Sequence, residues 1–188
     1  MSSTTKNLSL AAMFIAIGLV LPFLIFQIPE IGQTLLPMHL PVLLCGLICG
    51  RKYGLIVGFV LPLMRSFMFG MPVLFPMAAA MAFELAAYGF VIGLLYYTSR
   101  WQCILSLFRS LIIAMIAGRI VWGIAMALFV GLGGGHFTLQ IFIGGALLNA
   151  LPGIVLQLIL VPAIMIGLNR TGLVRFHKNH LIEATSEG

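Results

Sequence analysis

The sequence predicts an all-α, polytopic membrane protein: a compact bundle of six transmembrane helices with both termini on the cytoplasmic side. Three observations carry that prediction. The chain is 62% hydrophobic and only 7% charged, with a mean hydropathy of +1.18, where a soluble domain carries about a quarter charged residues. Its apolar residues gather into stretches close to the roughly 20 residues a helix needs to cross the hydrocarbon. Its lysines and arginines sit in alternate connections between those stretches, the pattern that sets orientation in a cell membrane.

The spans run Leu8 to Phe26, Pro37 to Gly50, Tyr53 to Phe69, Met77 to Tyr97, Ser106 to Leu132 and Leu139 to Leu168. The first follows a single lysine, Lys6, with no small-residue cleavage site, so it reads as a membrane helix and not as a removed signal. The second and third are short, and Gly, Pro and the Arg51-Lys52 pair argue for two spans joined by a tight turn at that pair. No internal repeat or low-complexity segment interrupts the chain. Residues 1–188 therefore read as one membrane domain, with residues 1–7 and 169–188 as cytoplasmic tails.

Lys6, Arg51, Lys52 and Arg100 fall before the first span, between the second and third, and between the fourth and fifth. Arg170, Arg175 and Lys178 follow the sixth. The other connections, Gln27 to Leu36, Gly70 to Pro76 and Gly133 to Thr138, contain neither Lys nor Arg. The net charge of +6 thus marks topology. The scattered cations meet no nucleic-acid motif, so no nucleic-acid partner is expected.

Against this background a few polar residues stand out. Arg65 and Glu84 flank a turn, Met71 to Pro76, with two prolines and no charge. Ionisable residues at membrane depth are costly and are by default functional-site candidates. Counted along the helices, Arg65 lies about 7 Å and Glu84 about 10 Å below the outer surface, with Asn149 roughly 15 Å down the sixth span. His39 stands at the outer start of the second span. Arg119 falls near the middle of the fifth, with Trp122 one turn further out. These six residues form the candidate substrate-binding set.

Each has a plainer reading. Arg65 and Glu84 could be a structural ion pair, and Arg119 could be satisfied by carbonyls near a kink. His39 could be an interfacial residue, and Asn149 could be a hydrogen-bonding link between helices. Taken together, Arg65, Arg119 and Glu84 leave one positive charge unbalanced at low dielectric, which an anionic ligand would neutralise. Small residues four apart (Ala12 and Ala16, Gly46 and Gly50, Gly54 and Gly58, Gly89 and Gly93, and Ala78, Ala82 and Ala86) mark faces where helices approach closely. The pair on the first helix, Ala12 and Ala16, is the candidate for meeting another protein.

Several chemistries are excluded. The sequence has no aspartate, and Glu84 is the one carboxylate inside a span, which removes two-metal hydrolysis and aspartyl proteolysis. No phosphate-binding loop of the G-x-x-x-x-G-K-[ST] type exists, so the chain itself takes no ATP. No metal site is expected, Cys45 and Cys49 being packing residues. No nucleophile elbow is present, so the chain is not read as an enzyme.

The alanine-rich start of the first helix (Leu10 to Ala16) resembles the S component, the substrate-capturing membrane subunit, of an energy-coupling factor (ECF) vitamin transporter. LPMHLPVLLCGLICGRKYGLIVGF (Leu36 to Phe59), GMPVLFPMAAAMAFELAAYG (Gly70 to Gly89) and AGRIVWG (Ala117 to Gly123) are similar to the branch that includes pantothenate-type members. The resemblance implies binding of a small vitamin from outside. It further implies association with a membrane coupling subunit and two cytoplasmic ATPases, docking through the alanine motif, here Ala12 and Ala16. The alternatives left open are a structural or assembly subunit that binds no ligand, its intramembrane charges pairing with a partner helix, and a proton-coupled carrier leaning on Glu84. Topological reporters fused after Arg100 and at Gly188 should read cytoplasmic, and one inserted at Gly133 to Gly135 external; a cytoplasmic signal from that glycine loop would overturn the orientation.

Overall fold

The computed structural model of the chain describes residues 3–24, 38–99, 103–132 and 151–171. Among them every regular element is a helix. In chain order these are α1 (Ser3–Leu24), α2 (His39–Cys49), α3 (Arg51–Phe69), α4 (Ala79–Thr98), α5 (Ile104–Leu132) and α6 (Leu151–Arg170). A lead-in turn, Leu74–Ala78, precedes α4, with Phe75 extended at φ −127° and ψ 133°. Five helices are long and apolar enough to cross a membrane; α2, with 11 residues, is a shorter apolar helix.

The short helix is the principal departure from the expected spans. Eleven residues rise only about 16 Å, roughly half the 30 Å hydrocarbon core. Its first residue, His39, is 1% exposed. Its side chain is therefore enclosed by neighbouring helices. The turn also differs: Gly50 is the pivot (φ +90°), while Arg51 and Lys52 are already the first residues of α3. A positive φ of this kind suits glycine, which has no Cβ to clash. At its other end α3 stops at Gly70, in the left-handed region (φ +68°), whose N–H donates to the Ser66 carbonyl, a common way to close a helix.

Helix α4 is the centre of the bundle and packs on α2, α3 and α5; α1 lies against α2 and α3, and α6 against α5 and α2. The approach to the α2–α3 hairpin is backbone on backbone. A Cβ on Gly54 would lie 2.5 Å from the Gly89 carbonyl oxygen, and one on Gly46 would lie 2.6 Å from that same oxygen. A Cβ on Gly58 would collide with the Leu85 carbonyl, and one on Gly93 would lie 2.6 Å from Arg51 N. Ala78, at the end of the lead-in turn, and Ala82 and Ala86 on α4 are buried as well. The four-residue spacings read from the sequence thus serve packing here. In lipid, where hydrophobic burial does not drive helices together, small residues gain van der Waals contact by admitting a close neighbour.

Gly54→Ala and Gly89→Ala should therefore destabilise the bundle by about 1–3 kcal/mol each, the usual cost of overpacking. Gly131→Ala serves as the control, because a Cβ there meets nothing within 4 Å. Thermal unfolding of the purified variants would check this, and equal melting temperatures for all three would contradict the backbone contact.

Candidate substrate-binding site

The close packing of α4 brings three sequence-predicted residues together. Glu84 stands in the second turn of α4 and is 2% exposed. Its Oε1 lies 3.1 Å from Arg119 Nη1 on α5 and 3.7 Å from His39 Nε2 at the start of α2. Tyr88, one turn along α4, donates its hydroxyl to the same oxygen at 3.1 Å. Residues four apart on a helix share a face, so Glu84 and Tyr88 both point toward α2 and α5.

The neighbours make room for this arrangement. A Cβ on Gly118 would lie 2.6 Å from the Tyr88 ring, so the glycine before Arg119 is what lets the ring lie against α5. His39 meets Tyr88 edge to face, with ring centroids 5.2 Å apart. Tyr88 is the functional residue that sequence reasoning missed. Its four-residue spacing from Glu84 was the available signal, hidden among the aromatic residues of an apolar helix.

The cluster does not satisfy itself. Arg119 is 11% exposed, and among the described residues its Nε and Nη2 have no hydrogen-bond partner; the same is true of both ring nitrogens of His39. Buried polar atoms are nearly always paired, and each exception calls for an explanation. Arg119, Glu84 and His39 thus hold donors and acceptors beyond those their mutual contacts consume, in a setting where a polar ligand group could use them.

The remaining candidates lie apart from this centre. Arg65, in the last turns of α3, donates from Nε to the Met71 carbonyl at 3.2 Å and so braces the proline turn. The ion pair weighed for Glu84 with Arg65 is made instead with Arg119. The reason is register: Glu84 shares its face with Tyr88, and that face meets α5. Trp122 is buried one turn beyond Arg119, packed with Ala80, Ala125 and Met126. Asn149 lies outside the described residues. Ala12 and Ala16 are exposed on α1, where Ala11 and Phe14 face inward.

A cleft of about 400 Å³ opens at the other end of α4, between Cys49 to Tyr53 and Gly93 to Thr98. Its charged lining, Arg51 and Lys52, is exposed. The Glu84 cluster is the better candidate because its polar atoms are buried and partly unpartnered.

No curated protein and no solved structure matches the chain significantly. A family model does: that of the ECF transporter, substrate-specific component, over residues 6–165. That match takes in the cluster, the glycine-lined hairpin and the exposed alanine face of α1 together. Five membrane-capable helices and a buried polar centre belong in such a subunit, and the chain is a multi-pass membrane protein of the ECF transporter substrate-specific component family.

Proposed function

We propose that this chain captures a small, water-soluble, carboxylate-bearing vitamin or vitamin precursor from outside the cell, with pantothenate the favoured candidate. Members of the family are substrate-binding transport subunits that work with an ECF transmembrane subunit and ATPase modules. In this reading ATP is spent by the two cytoplasmic ATPase partners and the chain itself needs no cofactor. Both termini face the cytoplasm, in keeping with the lysine and arginine distribution.

The observation that carries the proposal is the buried Glu84–Arg119–His39 cluster with its unpartnered nitrogens. Arg119 keeps Nε and Nη2 beyond its contact with Glu84, so an anionic ligand would take up buried donors that the described residues leave unused. His39 contributes ring nitrogens able to meet a ligand hydroxyl or amide. Trp122 supplies an apolar wall one turn away, and Asn149 is assigned a polar contact from the sixth span. Ala12 and Ala16, exposed beside Met13, Ile17 and Val20, form the face offered to the coupling subunit.

The ligand-free alternative, an assembly subunit whose intramembrane charges pair with a partner, fits less well with the Arg119–Glu84 pair, which closes within a single chain. Binding measurements separate the two readings. If the arginines recognise a carboxylate, Arg65→Met and Arg119→Met should each weaken vitamin binding roughly tenfold to a hundredfold, the worth of a buried charge-assisted hydrogen bond. A structural pair predicts lower melting temperatures with no selective change in affinity. Folded variants of both arginines that bind as tightly as wild type would sink the anionic-vitamin reading.

Docking is tested separately. Ala12→Trp or Ala16→Trp should leave vitamin affinity near wild type while abolishing uptake in cells, because a bulky side chain prevents close helix approach. Uptake that survives both changes would move the docking face elsewhere.

A further inference from the structure

We infer that Arg119 presents its Nε–Nη2 edge to a ligand carboxylate while Glu84, steadied by Tyr88, acts as the positioning residue that holds Nη1. This rests on the binding role proposed above and specifies how the site would tell a carboxylate from its neutral counterparts.

A guanidinium is a planar fork of donors. Glu84 Oε1 occupies Nη1 at 3.1 Å, and among the described residues Nε and Nη2 are left without partners. These two belong to one edge of the plane and point their hydrogens the same way, which is the geometry that grips both oxygens of a carboxylate. Glu84 therefore does not compete with a ligand for Arg119; the two anions take different sides of one cation.

The orientation of the fork is set by a short chain of contacts. Gly118 leaves space for the Tyr88 ring, Tyr88 donates to Glu84 Oε1 at 3.1 Å, and that oxygen fixes Arg119. His39 holds the other side of the Tyr88 ring, 5.2 Å between centroids. A positively charged group alone would attract any anion; a fork held at one corner favours a planar group with two acceptor oxygens.

The test is a discrimination ratio measured by titration calorimetry on the full chain in lipid nanodiscs. The probes are pantothenate and pantothenol, in which an alcohol replaces the carboxylate. If wild type instead retains another of biotin, nicotinate or folate, that vitamin and its amide are used. Wild type should prefer the carboxylate by roughly tenfold to a hundredfold. Arg119→Lys keeps the charge and loses the fork, so the ratio should fall close to one.

Glu84→Asp keeps the charge but shortens the reach to Nη1, and Tyr88→Phe removes only the hydroxyl; each should lower the ratio by about threefold to tenfold. A merely structural role would weaken both probes equally and leave the ratio unchanged. Tyr88→Phe guards against misfolding of the charge variants, since it preserves the ring. An unchanged ratio in folded Arg119→Lys and Tyr88→Phe overturns the fork while leaving the binding role intact. Failure of wild type to bind any of the carboxylate vitamins overturns the anion-binding role and the fork with it.

Discussion

The distance at which α4 meets the α2–α3 hairpin governs the rest of the molecule. A Cβ on either Gly54 or Gly89 would strike the main chain of the other. Because the backbones touch, the faces of α4 that flank the contact are fixed in angle as well as in distance. Leu85, Gly89 and Ile92 face the hairpin, and Glu84 and Tyr88 follow on the side turned to His39 and Arg119. A looser packing, with side chains between the helices, would add some ångströms to distances that ion pairs do not tolerate.

Electrostatics then sets what those faces can hold. A single buried carboxylate would be prohibitive in hydrocarbon; Glu84 has two donors, Arg119 on α5 and Tyr88 on its own helix, at 3.1 Å from one oxygen, with the His39 ring nearby at 3.7 Å. Breaking a buried pair by removing one partner costs far more than the pair itself contributes, since the other charge is stranded. The interaction thus works less as a source of stability than as a constraint on which helices must stay together. It also leaves the far edge of Arg119 and the ring of His39 with polar atoms to spare, so the stabilised core and the reactive surface are the same group of residues seen from different sides.

Much of this was legible in the sequence because hydropathy and charge placement are properties of the chain alone. The helical class, the apolar segments of α3, α4 and α5, and the small-residue faces followed directly from them. Among the site residues, Glu84, Arg119 and His39 stood out because ionisable side chains are conspicuous among leucines. Their mutual contacts were not legible, since the partner of Glu84 depends on which face of α4 meets which helix. The turn preceding α4 includes an extended Phe75, so Glu84 cannot be placed against Arg65 by counting residues through it. The burial of His39 was not legible either, because the proline-flanked start of α2 does not show which neighbours cover it. Tyr88 carried too weak a signal, because aromatic residues abound in apolar helices without any polar partner.

The arrangement separates the proposed site from the proposed docking face while keeping them mechanically continuous. The site draws on α2, α4 and α5, whereas α1 packs on α2 and α3 and turns Ala12 and Ala16 outward. The link between them is narrow. Gly18 of α1 sits so close to Leu61 that a Cβ would lie 2.5 Å from that side chain. Leu61 is fully buried and one helical turn before Arg65 on α3. Arg65 in turn holds the Met71 carbonyl of the turn that leads into α4. Close-packed interiors transmit displacement because there is little free volume to absorb it. A shift of α1 on engaging a partner helix must therefore displace Leu61, and with it the segment carrying Arg65 and the turn it braces. A change confined to the Tyr88–Glu84–Arg119 face has a less direct route to α1, whose main packing among the described residues is against α2 and α3.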